Sequence, residues 1–568
     1  MDTQRLILFV IFSFSALFLW EAWQRDHKPP VPVISSAPGT APSSAIDAPR
    51  PSGSTAPGAP GVPGVPALPG TAPAAVQSGE KVSIRTDLFT AEIDTLGGVL
   101  TQLSLAAHRD TKDETKPYVL LQRNAERTFI AQSGLLGEGM PNHRTLWQVL
   151  PGPRELAPGM DKLELQLLAT TATGDKVVQT LTFHRGSYVI DVDYQITNAG
   201  TVPIAPYAYF QLTRDTKTPN VQSSMAPAAY TGPVIYNETD KFKKVEFGDL
   251  DKLAADPTRK PLFTKNTDNG WAGMIEHYFL AAWLPSETPK SPREFYAKKL
   301  ENGLYADGVI LQSAAIAPGG TGSVKSPLYV GPQEQDVLAK LAPGLDLVVD
   351  YGIFTILAAP LFWLLKWLYG IVHNWGWAIV LLTIIIKGAF YPLNHASARS
   401  MAKMKVIAPK MKALQAQYGS DKQQLQMKMM EMYKTEKINP LGGCLPIVVQ
   451  IPVFIALYWV LLSAVELRHA PWILWIHDLS APDPYFVLPV IYAITAYLQV
   501  RLSPTPIQDP VQAKVMQIMP IAFSVMFIFF PSGLVLYWLV NNTLQILQQW
   551  HMNRVLEREA ATAAAKRR

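Results

Sequence analysis

Between residues 374 and 550 the chain carries five apolar stretches, near 374–391, 443–464, 485–502, 511–530 and 532–550. Each is close to the roughly 20 residues that a helix needs to cross about 30 Å of hydrocarbon. Pro392, Asn439-Pro440, Pro484, Pro510 and Pro531 punctuate them, as helix limits should. Backbone polar groups in lipid must be satisfied within the segment, so these stretches predict an α-helical polytopic bundle. Phe530, Pro531 and Ser532 alone separate the last two, which requires a tight hairpin. Composition agrees: 17% of residues are charged, against about 25% in an average globular chain.

The rest of the chain sorts by pattern. An apolar run from Leu6 to Trp20 ends in Trp20 and Trp23 without a small-x-small cleavage pattern, which predicts an uncleaved membrane anchor over 1–24 and a total of six spans. Residues 25–79 form a Pro/Ala/Gly-rich linker, with 13 prolines among the 52 residues from Lys28 to Gly79 and too little apolar surface to offset ordering. From 80 to 342 the pattern alternates with period two, in KVSIRTDLFTAEIDT, LELQLLATT, VVQTLTFH and SYVIDVDYQIT, which predicts a large all-β domain of sandwich type. His184, Asp191 and Asp193 lie near its strands, and alternation puts the two carboxylates on one face, where solvent accounts for them. Residues 343–373 read as an interfacial amphipathic helix, 374–392 as the second span, 393–439 as a helical hairpin, 440–550 as four further spans and 551–568 as a basic tail.

Orientation follows from the lysines and arginines. Nine of them (Arg399, Lys403, Lys405, Lys410, Lys412, Lys422, Lys428, Lys434 and Lys437) fall between Asn394 and Asn439, whereas the loop from Glu466 to Pro484 holds Arg468 alone. The basic loop is therefore expected in the cytoplasm, with both termini on that side and the β-domain outside. A Gly419-Ser420-Asp421 break divides the loop into two helical halves, a hairpin. Seven methionines fall in it, among them Met401, Met404, Met427 and Met430 beside Lys403 and Lys405, and they suit either the seam of the hairpin or a surface for varied apolar partners.

Polarity inside the spans is the sharpest signal. Lys387 sits in WGWAIVLLTIIIKGAFYPL, where an ammonium costs at least roughly 2.5 to 3.5 kcal/mol. Thr383 lies one turn before it. Lys387 either snorkels past Tyr391 to headgroups or faces a polar interior. In the last span Trp538, Asn541, Asn542 and Gln545 recur at i, i+3, i+4 and i+7, and Gln450 adds an amide to the third span. Such amides either join helices or share a hydrated cavity with the lysine. No nucleotide loop, nucleophilic triad or metal-spaced His/Cys cluster appears in the membrane region, and Cys444 is the one cysteine, so neither an enzyme nor a cofactor is expected there. A net charge of +5, from 50 basic and 45 acidic residues, gives no basis for recognition of a specific nucleic-acid sequence. A solute transporter or channel using the same polar faces is the alternative, for which an inverted repeat is wanted and none is evident. A carbohydrate enzyme built on the β-domain is a third.

From Tyr351 to Trp550 the chain resembles the bacterial YidC-type membrane protein insertases of the YidC/Oxa family, through NWGWAIVLLTIIIKGAFYPL, SMAKMK, INPLGGCLPIVVQIPVFIALYW, ELRHAPW, WIHDLSAPDPY and FPSGLVLYWLVNN. The anchor, linker and β-domain are similar to the Gram-negative long form, which implies a periplasmic β-supersandwich of galactose-mutarotase type. The resemblance implies that nascent inner-membrane proteins are captured in a positively charged groove open to the cytoplasm and released sideways into the bilayer, alone or with the Sec translocon. It implies weak ribosome contact through the basic loop and tail, and no cofactor. By position Lys387 stands where the family usually has Arg, which keeps the charge but loses the bidentate fork, and Trp538 stands where Tyr is common. Thr383, Gln450, Asn541, Asn542 and Gln545 fall on groove-lining positions, and 396–437 on the family's mobile cytoplasmic pair.

Overall fold

The computed structural model describes residues 48–49, 79–110, 113, 115–217, 230–288, 290–419, 421–436, 445–502, 518–519, 522 and 524–566. The expected anchor (1–24), nearly all of the linker (25–79), Cys444 and most of the expected span at 511–530 lie outside the described residues.

Two nine-stranded sheets build the β-domain. In spatial order the first holds β1 (Lys81–Arg85), β2 (Phe89–Asp94), β3 (Val99–Arg109), β4 (Pro117–Arg123), β5 (Thr128–Leu136), β10 (Tyr207–Arg214), β17 (Tyr305–Gln312), β16 (Arg293–Lys299) and β13 (Asn266–Thr267). The second holds β12 (Lys241–Lys244), β11 (Thr231–Asn237), β14 (Trp271–Glu276), β15 (Phe279–Trp283), β18 (Thr321–Pro332), β9 (Val189–Thr197), β8 (Lys176–His184), β7 (Lys162–Thr170) and β6 (Gln148–Val149). Pairing is antiparallel, as in β7–β8, where Leu165 faces Leu181, and β8–β9, where Leu181 faces Val192. Strict alternation in β7, β8 and β9 buries every second residue between the sheets, and Phe89, Leu165, Phe183, Tyr194, Phe210 and Val309 share that core.

β14 and β15 break the alternation because both of their faces are covered. Ala272, Met274, Phe279 and Ala281 point into the sandwich, while Trp271, Ile275, Leu280 and Ala282 pack in a second core with the C-terminal helices. Within the β-domain a short helix, α1 (Phe247–Ala255), lies between β12 and β13, and after β18 the chain turns into the helical part through α2 (Gln335–Leu341), followed by Gly344 at φ 68°. A Cβ at Gly344 would lie 2.3 Å from the Tyr236 ring, so backbone conformation and close approach both demand glycine there.

The helical part comprises α3 (Thr355–Val372), α4 (Trp375–Ala389), α5 (Tyr391–Tyr418), α6 (Lys422–Thr435), α7 (Leu445–Ser463), α8 (Val487–Leu502) and α9 (Ser532–Lys566). Local chemistry sets their ends. Asn374 Oδ1 caps α4 by accepting from Trp377 N at 3.1 Å, Asp421 caps α6 by accepting from Gln423 N and Gln424 N, and Asp483 Oδ2 accepts from Leu488 N at 2.7 Å at the head of α8. Gly376, in the first turn of α4, lies under Trp472, and a Cβ there would meet that indole at 2.2 Å. Pro392, which has no N–H to donate, sits at the start of α5, and the chain bends by 54° between α4 and the first turns of α5.

Among the described helices α3 alone is long and apolar enough to cross a membrane unaided, and α4 with the start of α5 qualifies as a bent pair. The last helix runs unbroken to Lys566, past the expected end of the span at 550, because its Ala-, Glu- and Arg-rich continuation favours helix.

Candidate functional site: a single ammonium among amides

Four helices meet α9 through hydrogen-bonding side chains. Lys387, in the last turn of α4, is 7% exposed, and its Nζ donates to Gln545 Oε1 at 2.8 Å. Its side chain thus runs inward to α9. Among the described residues no carboxylate pairs with it, so a neutral amide dipole is the recorded partner of the charge. Gln450 Nε2 of α7 donates to Asn541 Oδ1 at 2.9 Å, and Asn542 Nδ2 donates to Thr495 Oγ1 of α8 at 3.0 Å. Helical spacing had grouped Trp538, Asn541, Asn542 and Gln545 on one face, yet their bonds fan out to three helices, since successive residues lie about 100° apart.

Two expected members sit differently from the polar cluster. Thr383 is 1% exposed and its hydroxyl donates to Ile379 O at 2.7 Å, back-bonded within its own helix. Trp538 packs edge-on to Phe454 with ring centroids 4.4 Å apart and against Phe527 at 5.4 Å, while its indole N–H has no hydrogen-bond partner among the described residues. Thr495, Asn394 and Gln548 were missed by the sequence reading. Asn394 Nδ2 donates to Gln548 Oε1 at 3.2 Å, a pair whose signal was amide spacing beyond Gln545 on the same helix.

α5 and α6 fold back on each other. Ile407 and Met411 are buried against Met429, Met432 and Tyr433, and Lys410 pairs with Glu436 at 2.5 Å. Some methionines therefore form the seam, whereas Met427 and Met430 are more than half exposed. Met401, Lys403, Met404 and Lys405 lie on α5, with side chains outside the described set.

The β-domain handles charge in another way. Glu276 accepts a hydrogen bond from Tyr118 Oη at 2.6 Å and is ion-paired to Arg127 and, at 3.3 Å, to Arg214, all of them buried. Asp191 pairs with the half-exposed His184 at 2.7 Å, and Asp193 faces Lys325 across β9 and β18, as solvent-side residues of a sheet do. Between domain and helices, the 464–486 loop inserts Val465 into the sandwich core, and Arg468 donates to Arg109 O with its guanidinium over the Tyr118 and Phe279 rings. Burial, with Arg468 and His469 adding, lowers His108 to about 4. Burial also lowers His277 to about 4, assisted by Arg468 and partly offset by its contact with Leu462 O. Glu466 is raised to about 7 by burial, with Glu334 and Asp336 adding to the shift and Lys366 opposing it.

A two-sheet domain seated on apolar helices that, among the described residues, bury a lysine against an amide defines a multidomain membrane protein. Residues 81–364 match the family described as the YidC periplasmic domain, and residues 367–559 match the 60Kd inner membrane protein family. A membrane protein insertase YidC from Nitrosospira multiformis is 50% identical over the full length of both chains, and one from Aromatoleum aromaticum is 49% identical over 99% of this chain and 100% of its own. A solved active YidC insertase with its first transmembrane domain resolved is 20% identical, covers 83% of this chain and 92% of its own, and superposes with a TM-score of 0.37, too loosely to carry an argument. The chain belongs to the YidC family of membrane protein insertases, and a multi-pass place in the bacterial inner membrane follows from that membership.

Proposed function

We propose that this chain captures nascent inner-membrane proteins at the cytoplasmic side of its bundle and releases them laterally into lipid, with Lys387 as a transient electrostatic attractor. The observation that carries the reading is the Lys387–Gln545 hydrogen bond at 2.8 Å, a buried ammonium compensated by a neutral amide. A charge left without a counter-ion at bilayer depth is costly, and such residues mark substrate paths. An acidic or polar segment entering the bundle displaces the amide and supplies the missing negative partner, lowering the barrier to crossing without a covalent step. Gln450, Thr383, Trp538, Asn541, Asn542 and Gln545 line its route, the amides exchanging their mutual bonds for bonds to the incoming backbone. No catalysis and no cofactor enters this scheme.

The topology belongs to the same proposal: six spans, the β-domain periplasmic, and both termini with the α5–α6 pair cytoplasmic. Segment 343–373 is interfacial, for a physical reason. Lys366, two-thirds of the way along α3, is ion-paired to Asp336 of α2, beside the β-domain, which a helix crossing the lipid would carry out of reach. The basic hairpin and C-terminal helix meet the ribosome weakly, the exposed Met427 and Met430 meet apolar nascent segments, and the work is done alone or beside the Sec translocon.

The test replaces Lys387 by Ala, Glu and Arg and follows insertion of a substrate with an acidic translocated tail into proteoliposomes. Lys387→Arg is expected to insert near the parental rate, Lys387→Ala to slow it, and Lys387→Glu to slow it most. Equal insertion by all three would remove the attractor from the mechanism.

A further inference from the structure

The bend between α4 and α5 is bridged twice by the same helix. Lys387, three residues before Phe390, is held by Gln545, and Asn394, four residues after it, is held by Gln548 at 3.2 Å. Gln545 and Gln548 stand at i and i+3, so they are neighbours on one stripe of α9. Backbone continuity across the bend is weak. Pro392 has no N–H to return to Gly388 O, and a side chain at Gly388 would meet nothing within 4 Å, so little packing stiffens the helix there. Asn394 is buried at 9% exposure, and farther along the hairpin Ile407 and Met411 pack against α6. Gln548 is under-satisfied, its buried Nε2 having no partner among the described residues. Of the side-chain hydrogen bonds between α5 and the bundle among the described residues, the Asn394–Gln548 bond is the one beside the hinge.

We propose that Asn394 and Gln548 form a latch that sets the hairpin angle, and that it opens while a segment is being inserted. The claim rests on the reading above for the cytoplasmic placement of the hairpin and for insertion as the reaction. A single neutral hydrogen bond biases a two-state hinge by about fivefold, enough to hold a resting position and little enough to be broken in every cycle. The neighbouring tie makes the latch responsive. A carboxylate that draws Lys387 away from Gln545 removes one of the two bonds spanning the bend, so capture in the bundle loosens the hairpin. Gln548 thus acts as a positioning residue, one turn from the ammonium and without touching the substrate.

The experiment uses full-length protein in phospholipid nanodiscs, with Cys444→Ser as background and spin labels at the exposed Gln424 of α6 and His551 of α9. Asn394→Ala and Gln548→Ala are each expected to raise the longer-distance population about fivefold. The double variant should do no more than either single, and Asn394→Gln with Gln548→Asn should restore the parental distribution. In a second preparation, Asn394→Cys and Gln548→Cys joined by a short reducible cross-linker should cut insertion of a nascent chain at least about fivefold, with recovery on reduction. Unchanged distances in both single variants, additive effects in the double, or full insertion by the cross-linked protein would overturn the latch. Lys387→Ala is measured alongside: parental insertion there, with the distance changes and the cross-link effect present, sinks the attractor and leaves the latch standing.

Discussion

The β-domain and the helical bundle both bury cations, and they compensate them by opposite means. Around Glu276, two guanidinium groups and a phenol share one carboxylate, so each buried cation has a counter-ion built into the fold. Around Lys387, the recorded partner is a single amide oxygen. An ion-paired cluster is expensive to break, whereas a cation with no carboxylate partner keeps its capacity for one. The comparison gives Arg127, Arg214 and Glu276 an architectural part and supports the proposal made for Lys387, on compensation rather than on burial.

The sharpest way to break this contrast is Glu276→Ala. It strands two buried guanidiniums and is expected to destabilise the β-domain by about 3–5 kcal/mol, read as earlier chemical unfolding of the domain in the full chain. A shift no larger than that of a surface substitution would mean that Glu276 does not hold the two guanidiniums in the way described. Gly376→Ala probes the bundle by packing alone. With a Cβ placed 2.2 Å from Trp472, a loss of about 1–3 kcal/mol in thermal stability is expected, and an unchanged midpoint would show that the Trp472 loop yields freely.

The contact between the two regions should depend on pH. His108 and His277, lowered from 6.5 to about 4 in the folded chain, shed protons on folding, so their contribution falls as pH drops from 6.5 to 4. Glu466, raised from 4.5 to about 7, holds its proton in the folded chain, so its contribution falls as pH rises from 4.5 through 7. Between pH 4.5 and 6.5 the two histidines outweigh the one glutamate, so docking of the 464–486 loop is expected to be firmest near pH 7 and to weaken as pH falls, measured as the thermal midpoint of the full chain. Glu466→Gln should steepen the fall between pH 6.5 and 4.5, because the opposing carboxyl is gone, and a profile identical to the parent's would contradict the assignment. The smallest effect is expected from Asn542→Ala, about 0.6 kcal/mol for one interhelical hydrogen bond, with Thr495→Val adding nothing further to it. Additive losses would show that the two side chains are not partners.

These regions also differ in how much of them the sequence discloses. Strands β7 to β9 were legible because one face meets solvent and the other the core, so period two is printed in the residues. β14 and β15 were not, because helices cover their outer face and every position is buried. The Glu276 cluster joins residues 62 and 149 positions apart, a separation to which no local pattern reports. In the bundle, Lys387, Gln450 and the amides of α9 stood out because polarity is rare in such segments, but their pairings were hidden. Thr495 and Asn394 are ordinary residues until α9 is laid beside them. The back-bond of Thr383 was equally silent, since a threonine facing a cavity and one bonded to its own helix have the same spacing.

One measurement goes straight to whether polar residues inside the bundle meet a passenger. Photo-reactive residues at 450, 538 and 545, and at the outward-facing Ile384 and Val490, are placed one at a time against a ribosome-stalled nascent chain with an acidic tail. Cross-links are predicted at the three inner positions before any at the outer two, and they should weaken when Lys387→Glu is added. Capture at Ile384 and Val490 alone, indifferent to the charge at 387, would contradict the account.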